Sequence, residues 1–319
     1  LKTGCRGDHA AAPENVIIEG IIDVQHAALA IEEKPEPAKT PALKGSAVDQ
    51  IKPQPPAAKA RLKPGLLKSL GIGTLSLAVG VLIWHLAVVY KLDFYISFMN
   101  VPSPAKVLTA FVEHIQTEVF YIHIGVSMRR ILLSYSIATV LGIALGVIMG
   151  RSKFARSFLI PYIEVIRPIP AVAWIPLAIL MWPTEESSII YITFLGALFP
   201  IVLNTLHGVE QTPEVLVRAA HSLGASRMAI FWHVVLPAAL PSITAGLAIG
   251  MGVSWFSLLA GEIISGQYGI GYFTWNAYSL INYDDIVVGM LVIGLLGTGS
   301  TAAVRLITSP LLKWQKKTR

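Results

Sequence analysis

The chain has 319 residues, 54% of them hydrophobic and 14% charged, with a mean hydropathy of +0.63. Soluble domains carry roughly 25% charged residues, so this composition excludes an ordinary water-soluble globule and makes lipid the solvent for most of the apolar side chains. The formal net charge of +6 does not call for a nucleic-acid partner, because the basic residues flank apolar runs, where a membrane surface accounts for them.

Residues 1–65 differ from the rest. They are rich in Ala, Pro, Lys and Glu, as in Glu32-Glu33-Lys34-Pro35-Glu36-Pro37. Such a segment buries too little apolar surface to offset its ordering entropy, so a disordered cytoplasmic tail is expected, with a short helix or strand possible only over Val16–Ile31. Cys5, the single cysteine, rules out an intrachain disulfide or a paired-Cys metal site. No apolar stretch precedes it, so lipidation is not expected.

The second domain, 66–319, opens with an apolar run at about Leu70–Val89. After it, Pro102–His123 carries Val107, Leu108, Phe111, Val112 and Ile115 on one helical face, which predicts a short amphipathic helix at the outer interface. Further runs of spanning length follow at about Ser127–Gly150, Phe158–Trp182, Ser188–His207, Ser242–Ile264 and Ile286–Ile307. The third of the six runs is interrupted by Pro161, Pro168, Pro170 and Pro176. The predicted fold is therefore all-α and polytopic, with about six transmembrane helices.

Loop charge sets the orientation. With the tail inside, the inner segments hold Lys59, Arg61, Lys63, Lys68, Arg151, Lys153, Arg156, Arg218, Arg227, Arg305 and the C-terminal basic cluster. The outer loops hold Lys91 and Lys106, with Arg129 and Arg130 near a boundary, and also carry Glu185, Glu186, Asp284 and Asp285. This asymmetry places both termini in the cytoplasm.

The loop at 208–241 is the most informative segment. Pro213 starts a short amphipathic helix, Gly224 ends it, a second short helix is expected from Ser226 to Val235, and Pro237 and Pro241 bracket the start of the fifth run. Two brief helices offered to the cytoplasm suit a groove on a soluble partner. The segment resembles the EAA loop of ABC importer permeases: Ala219, Ala220 and Gly224 match its first half and Leu236-Pro237 its second, with Arg218 where the family's Glu usually stands. That departure leaves the role of the Glu unassigned here. The resemblance extends over about 70–307 and is closest to permeases for nitrate, sulfonates, taurine and bicarbonate, through VIRPIPAVAWIPLAIL (165–180), PIVLNTLHGV (200–209) and GIGYFTWNAY (269–278).

The resemblance implies a type I ABC importer permease fold in a bacterial inner membrane, working as a homodimer with ABC ATPase subunits and an extracytoplasmic substrate-binding protein. It also implies that Arg218, Ala219, Ala220, Leu223, Gly224, Ala225, Leu236 and Pro237 transmit ATPase motion. The chain has no Gly-Lys pair and hence no phosphate-cradling loop, so nucleotide would sit on another chain. No cofactor and no enzymatic activity are expected of this one.

For the substrate path, Arg167 lies among helix-breaking prolines at membrane depth, where an Arg costs about 3 kcal/mol on insertion scales and is functional by default. Arg167 with Trp174 is therefore expected to attract a small anion. The competing reading pairs Arg167 with Glu164 or lets it snorkel to the headgroups. Glu262 either gates the outer side, pairs with a base on a neighbouring helix, or faces water. Trp255, on roughly the same face, lines the path or packs in the core. Glycines 142, 146, 150, 246 and 250, and 289, 294, 297 and 299, predict close helix contacts and support a dimer. His207, His221 and His233 read as interface residues. The rival function is an ATP-independent transporter or channel, which calls for inverted repeats and paired intramembrane acids; a membrane enzyme calls for a polar catalytic cluster at one interface. The sequence displays neither.

Overall fold

The computed structural model describes residues 64–91 and 100–314, the backbone alone at 64–70 and at Ser265. The tail before residue 64, with its Val16–Ile31 stretch, and the basic residues after Trp314 lie outside the described residues. The chain divides into Leu1–Leu66 and Leu67–Arg319; of the first unit only the opening of α1 is described, and the second carries the fold.

In chain order the helices are α1 (Pro64–Val89), α2 (Pro104–Ile115), α3 (Glu118–Arg151), α4 (Lys153–Ile166), α5 (Ile175–Met181), α6 (Glu185–Glu210), α7 (Glu214–Ser222), α8 (Arg227–Ile230), α9 (Leu236–Ser265), α10 (Ile270–Ser279) and α11 (Tyr283–Thr308). Among the described residues every regular element is helical. Five helices are long and apolar enough to cross a membrane, and a sixth crossing results if the bent pair Lys153–Ile166 and Ala171–Met181 counts as one.

The centre is α6, held between α3 and α9. Its start is set by Thr184, whose hydroxyl accepts the amide of Ser187 at 3.2 Å, and by Glu185 and Glu186 in the first turn, where acids suit the helix dipole. Glycines bring the neighbours close. Side chains at Gly142, Gly146 and Gly150 of α3 would meet Ile201, Thr205 and Val209 of α6 at 2.8, 2.6 and 2.5 Å, a register of four residues on both helices. From the other side, a Cβ at Gly246 would meet Asn204 at 2.6 Å and one at Gly250 would meet Ile201 at 3.0 Å. These two stripes, predicted as contact faces that support a dimer, are thus used inside one chain.

The third apolar run is broken where its prolines fall: α4 ends at the Arg167–Pro170 break, a 3-10 turn spans Ala171–Trp174, and the segment Ala171–Met181 leaves at 87° to α4. Pro168 and Pro170 lack the N–H groups a continuing helix needs and bias the residues before them towards extended backbone. The outer amphipathic helix forms over Pro104–Ile115 and stops at Gln116, and Thr117 stands at the N-cap position of α3 with its hydroxyl donating back to the carbonyl of His114 at 2.8 Å. Within α2, Val107 is buried and Phe111 packs inward with it, while Leu108, Val112 and Ile115 are exposed; the predicted stripe is wider than the face α2 buries.

Candidate functional site

The break after α4 turns Arg167 towards α6 and α9 and opens a cavity of about 420 Å³. Arg167, Pro170 and Trp174 come from the broken segment, Gly196, Phe199 and Asn204 from α6, and Val253, Phe256 and Ser257 from α9. Arg167 is exposed and forms no ion pair among the described residues, so the pairing with Glu164 that the competing reading requires is not made. Asn204 spends one amide hydrogen on the carbonyl of Pro200 at 2.8 Å. Ser257 is fully buried and its hydroxyl has no hydrogen-bond partner, which sets it behind the cavity wall. The result is an apolar hollow with the exposed Arg167 at its side and the half-buried Asn204 in its wall.

Trp255 and Glu262 do not line this cavity. Trp255 is 5% exposed, packs with Ile131 and Leu258, and donates its indole N–H to Ser300 of α11 at 2.7 Å. Glu262 is 1% exposed, which excludes a carboxylate facing water.

At the other end of the bundle, α7 projects from the helix core. Gly224 has φ 80°, a left-handed conformation that glycine adopts without penalty. Its amide reaches His221 O at 3.0 Å and that of Ala225 reaches Ala220 O at 3.1 Å, the paired bonds of a Schellman stop. The turn divides the predicted coupling residues: Arg218, Ala219, Leu223 and Gly224 are exposed, whereas Ala220, Ala225 and Leu236 pack against the core cluster of Ile201, Val209 and Ile243, and Pro237 is half-buried in the first turn of α9. Arg218 is bonded to Glu214 one turn earlier and holds that carboxyl below the usual carboxylate range, through the hydrogen bond first and the charge second. The second expected short helix is not a separate one. A π turn at Phe231–Val235 joins α8 to α9, giving a helical rod over Arg227–Ile264.

Glu262 instead anchors a buried cluster at the far end of that rod. Its carboxylate accepts from Ser127 Oγ at 2.8 Å, Arg130 Nη1 at 3.0 Å and the amide of Gly271 at 2.9 Å. Arg130 also donates to Glu186 from Nε at 2.8 Å and to the carbonyl of Tyr268 at 2.6 Å. The amides of Gly269 and Ile270 are taken by His123 Nδ1 at 3.1 Å and Ser127 Oγ at 2.9 Å. Three successive N–H groups at the start of α10, which have no partner within the helix, are thus each answered by α3 or α9.

Residues 138–312, more than half of the chain, match the family described as binding-protein-dependent transport system inner membrane components. The chain belongs to this family of ABC transporter permeases. It is 36% identical to the nitrate import permease protein of a Synechocystis species over 62% of this chain and 75% of that protein. It is 34% identical to the taurine transport system permease protein of Escherichia coli over 77% of this chain and 90% of that protein, and 37% identical to the bicarbonate transport system permease protein of Synechococcus elongatus over 54% of this chain and 62% of that protein. The chain is thus a multi-pass membrane permease of the ABC class, a transport component rather than an enzyme, from a family that works with ATPase and substrate-binding partners.

The cavity, the coupling segment and the rod all fall within the matched residues of the permease. Of the outer cluster, sequence reasoning names Glu262 and gives it a base on a neighbouring helix as one option, but Arg130 and Glu186 enter only as boundary and outer-loop charges, and His123 and Ser127 carry no functional assignment. A signal was present: His123, Ser127 and Arg130 recur at helical spacing on α3, a polar stripe in an otherwise apolar helix.

Proposed function

We propose that this permease forms the translocation path for a small anion, of the nitrate, bicarbonate or sulfonate and taurine class, in an ATP-driven importer. The observation that carries the reading is the unpaired Arg167 at a proline-broken segment facing a cavity between α6 and α9. Broken helices at membrane depth line cavities, and an unopposed guanidinium there lowers the cost of desolvating an anion. The relatives named above add support.

Two copies of the chain, two ATPase subunits that hydrolyse the nucleotide, and an extracytoplasmic binding protein complete the assembly in a bacterial inner membrane. Six crossings, with the bent pair counted as one, agree with both termini on the cytoplasmic side. On this reading Leu223, Arg218, Ala219 and Gly224 seat in the ATPase, while Ala220, Ala225, Leu236 and Pro237 pass its motion to α6 and α9 as a rigid body. Trp174 lies on the path; Trp255 and Glu262 support the helices around it.

Arg167→Glu, reconstituted with its partner subunits and binding protein, is expected to insert normally and to lose anion uptake. Arg167→Lys is expected to keep part of it. Unchanged uptake by Arg167→Glu would remove Arg167 from the path, and uptake without any ATPase subunit would favour the ATP-independent alternative.

A further inference from the structure

Gly142, Gly146 and Gly150 of α3 are each met by a side chain of α6, but at Gly252 of α9 and Gly294 of α11, as at Gly125 and Gly299, a Cβ would meet nothing within 4 Å. Gly252 and Gly294 line a hollow of about 470 Å³ between α9 and α11, open at Arg305. A second hollow of about 780 Å³ begins at the same Arg305 and runs to the coupling-segment end of the bundle, past Thr244, Thr308, Ser309 and Lys313. Sharing Arg305, the two run on along the same faces of α9 and α11, the upper one lined mainly by glycines and apolar residues besides Thr298 and Thr301, the lower one carrying Lys313 as well as Arg305.

The chemistry of the lower end is one-sided. Thr244, Thr308 and Ser309 give their hydroxyl hydrogens to the carbonyls of Pro241, Val304 and Leu306 at 2.9, 2.8 and 2.9 Å. The donors left for an occupant are therefore those of Arg305 and Lys313, both exposed and neither ion-paired among the described residues. No acid occurs between Arg305 and Arg319, and Lys316, Lys317 and Arg319 add further positive charge to that stretch. Basic pockets between membrane helices, next to a run of lysines and arginines at the end of a span, are the setting in which anionic lipid headgroups bind.

We infer that the α9–α11 groove is a binding site for an anionic phospholipid. The phosphate sits between Arg305 and Lys313, and one acyl chain rises through the space that Gly252 and Gly294 leave open. Charge complementarity selects a lipid over a second protein helix: an apolar helix would bury both cations with nothing to answer them. The site meets the Arg167 cavity only at Ile249, which lines both, and does not depend on which substrate the permease carries.

The test is lipid retention by the purified full-length chain, delipidated and titrated with dioleoylphosphatidylglycerol, dioleoylphosphatidylcholine or inorganic phosphate, read by native mass spectrometry. Phosphatidylglycerol is expected to be retained well above phosphatidylcholine, with inorganic phosphate a poor competitor. Removing both cations in Arg305→Gln/Lys313→Gln is expected to weaken retention about 25-fold, at roughly fivefold per basic residue. Gly294→Leu, which keeps the cations and fills the upper slot, is expected to weaken phosphatidylglycerol while leaving the melting temperature of the lipid-free chain unchanged. Equal retention of the two lipids, or retention unaffected by the double substitution, overturns the proposal. So does competition by phosphate as strong as that by the lipid, which marks a plain anion site, or a change in oligomeric state with lipid retention intact, which marks a second copy in the groove.

Discussion

The carboxylate of Glu262 fills the volume that a side chain at Gly269 would need. A Cβ there would collide with the Glu262 carboxyl carbon and both of its oxygens, and Gly269 has φ 129°. Glycine is required at this position for space and for backbone conformation together. Gly269→Ala is expected to destabilise the permease by roughly 3 kcal/mol, combining backbone strain with overpacking. Gly224→Ala, with φ 80° but open space around it, bears the strain alone and is expected to cost about 1–2 kcal/mol. Chemical unfolding of the two variants in detergent checks the order; equal losses would contradict the packing account of Gly269.

Arg130 is 6% exposed at its side chain and joins Glu262 to Glu186. Arg130→Met leaves Glu262 buried without its counter-ion, and breaking a buried pair from one side costs about 3–5 kcal/mol. Arg130→Met/Glu262→Leu is expected to lose less than the sum of the two single changes, by about 1–3 kcal/mol of coupling. Additive losses in unfolding measurements would mean that the two groups do not act as a pair.

Leu223 is 88% exposed. Leu223→Ala is expected to change stability by no more than about 0.5 kcal/mol and yet to weaken capture of the ATPase subunit about tenfold, the effect of truncating an interface anchor. Ala220→Asp, which places a charge against the core cluster, is expected to lower stability first. Co-purification and melting curves on the same preparations separate the two effects.

The pairing of Glu214 with Arg218 gives α7 a pH dependence of known sign. The carboxyl is depressed in the folded chain from its ordinary value of 4.5. Its contribution is therefore present above pH 4.5 and is lost as the pH falls from there through the folded value. Around neutrality the helix is expected to be insensitive to pH. Amide exchange over residues 214–222 is expected to quicken, after correction for intrinsic rates, only on acidification below about pH 4.5, and Glu214→Gln is expected to abolish that step.

The parts of the fold that follow local rules were legible in the sequence: apolar length announced the spans, and Pro213 and Gly224 bounded α7. Prolines marked the break near Arg167 but not its 87° angle, which is set by how Ile175 and Ala178 pack beside Ile192 of α6. A glycine every fourth residue signals a close neighbour without naming it, and α6, which receives stripes from both sides, had no mark of its own as the centre. The cluster around Arg130 and Glu262 was least legible, because its members lie 132 residues apart and neither has a local partner that betrays the other.

The rod over Arg227–Ile264 contains 38 residues, about 57 Å of helix. Its Glu262 end is riveted by a buried charge to α3 and by an amide to α10, while its Arg227 end emerges at the projecting turn. Gly246 and Gly250 hold its middle against Asn204 and Ile201 of α6. Under the proposed coupling, a push on the Arg227 end would therefore carry α6 and α9 together and shift their shared wall of the hollow past the broken segment that holds Arg167.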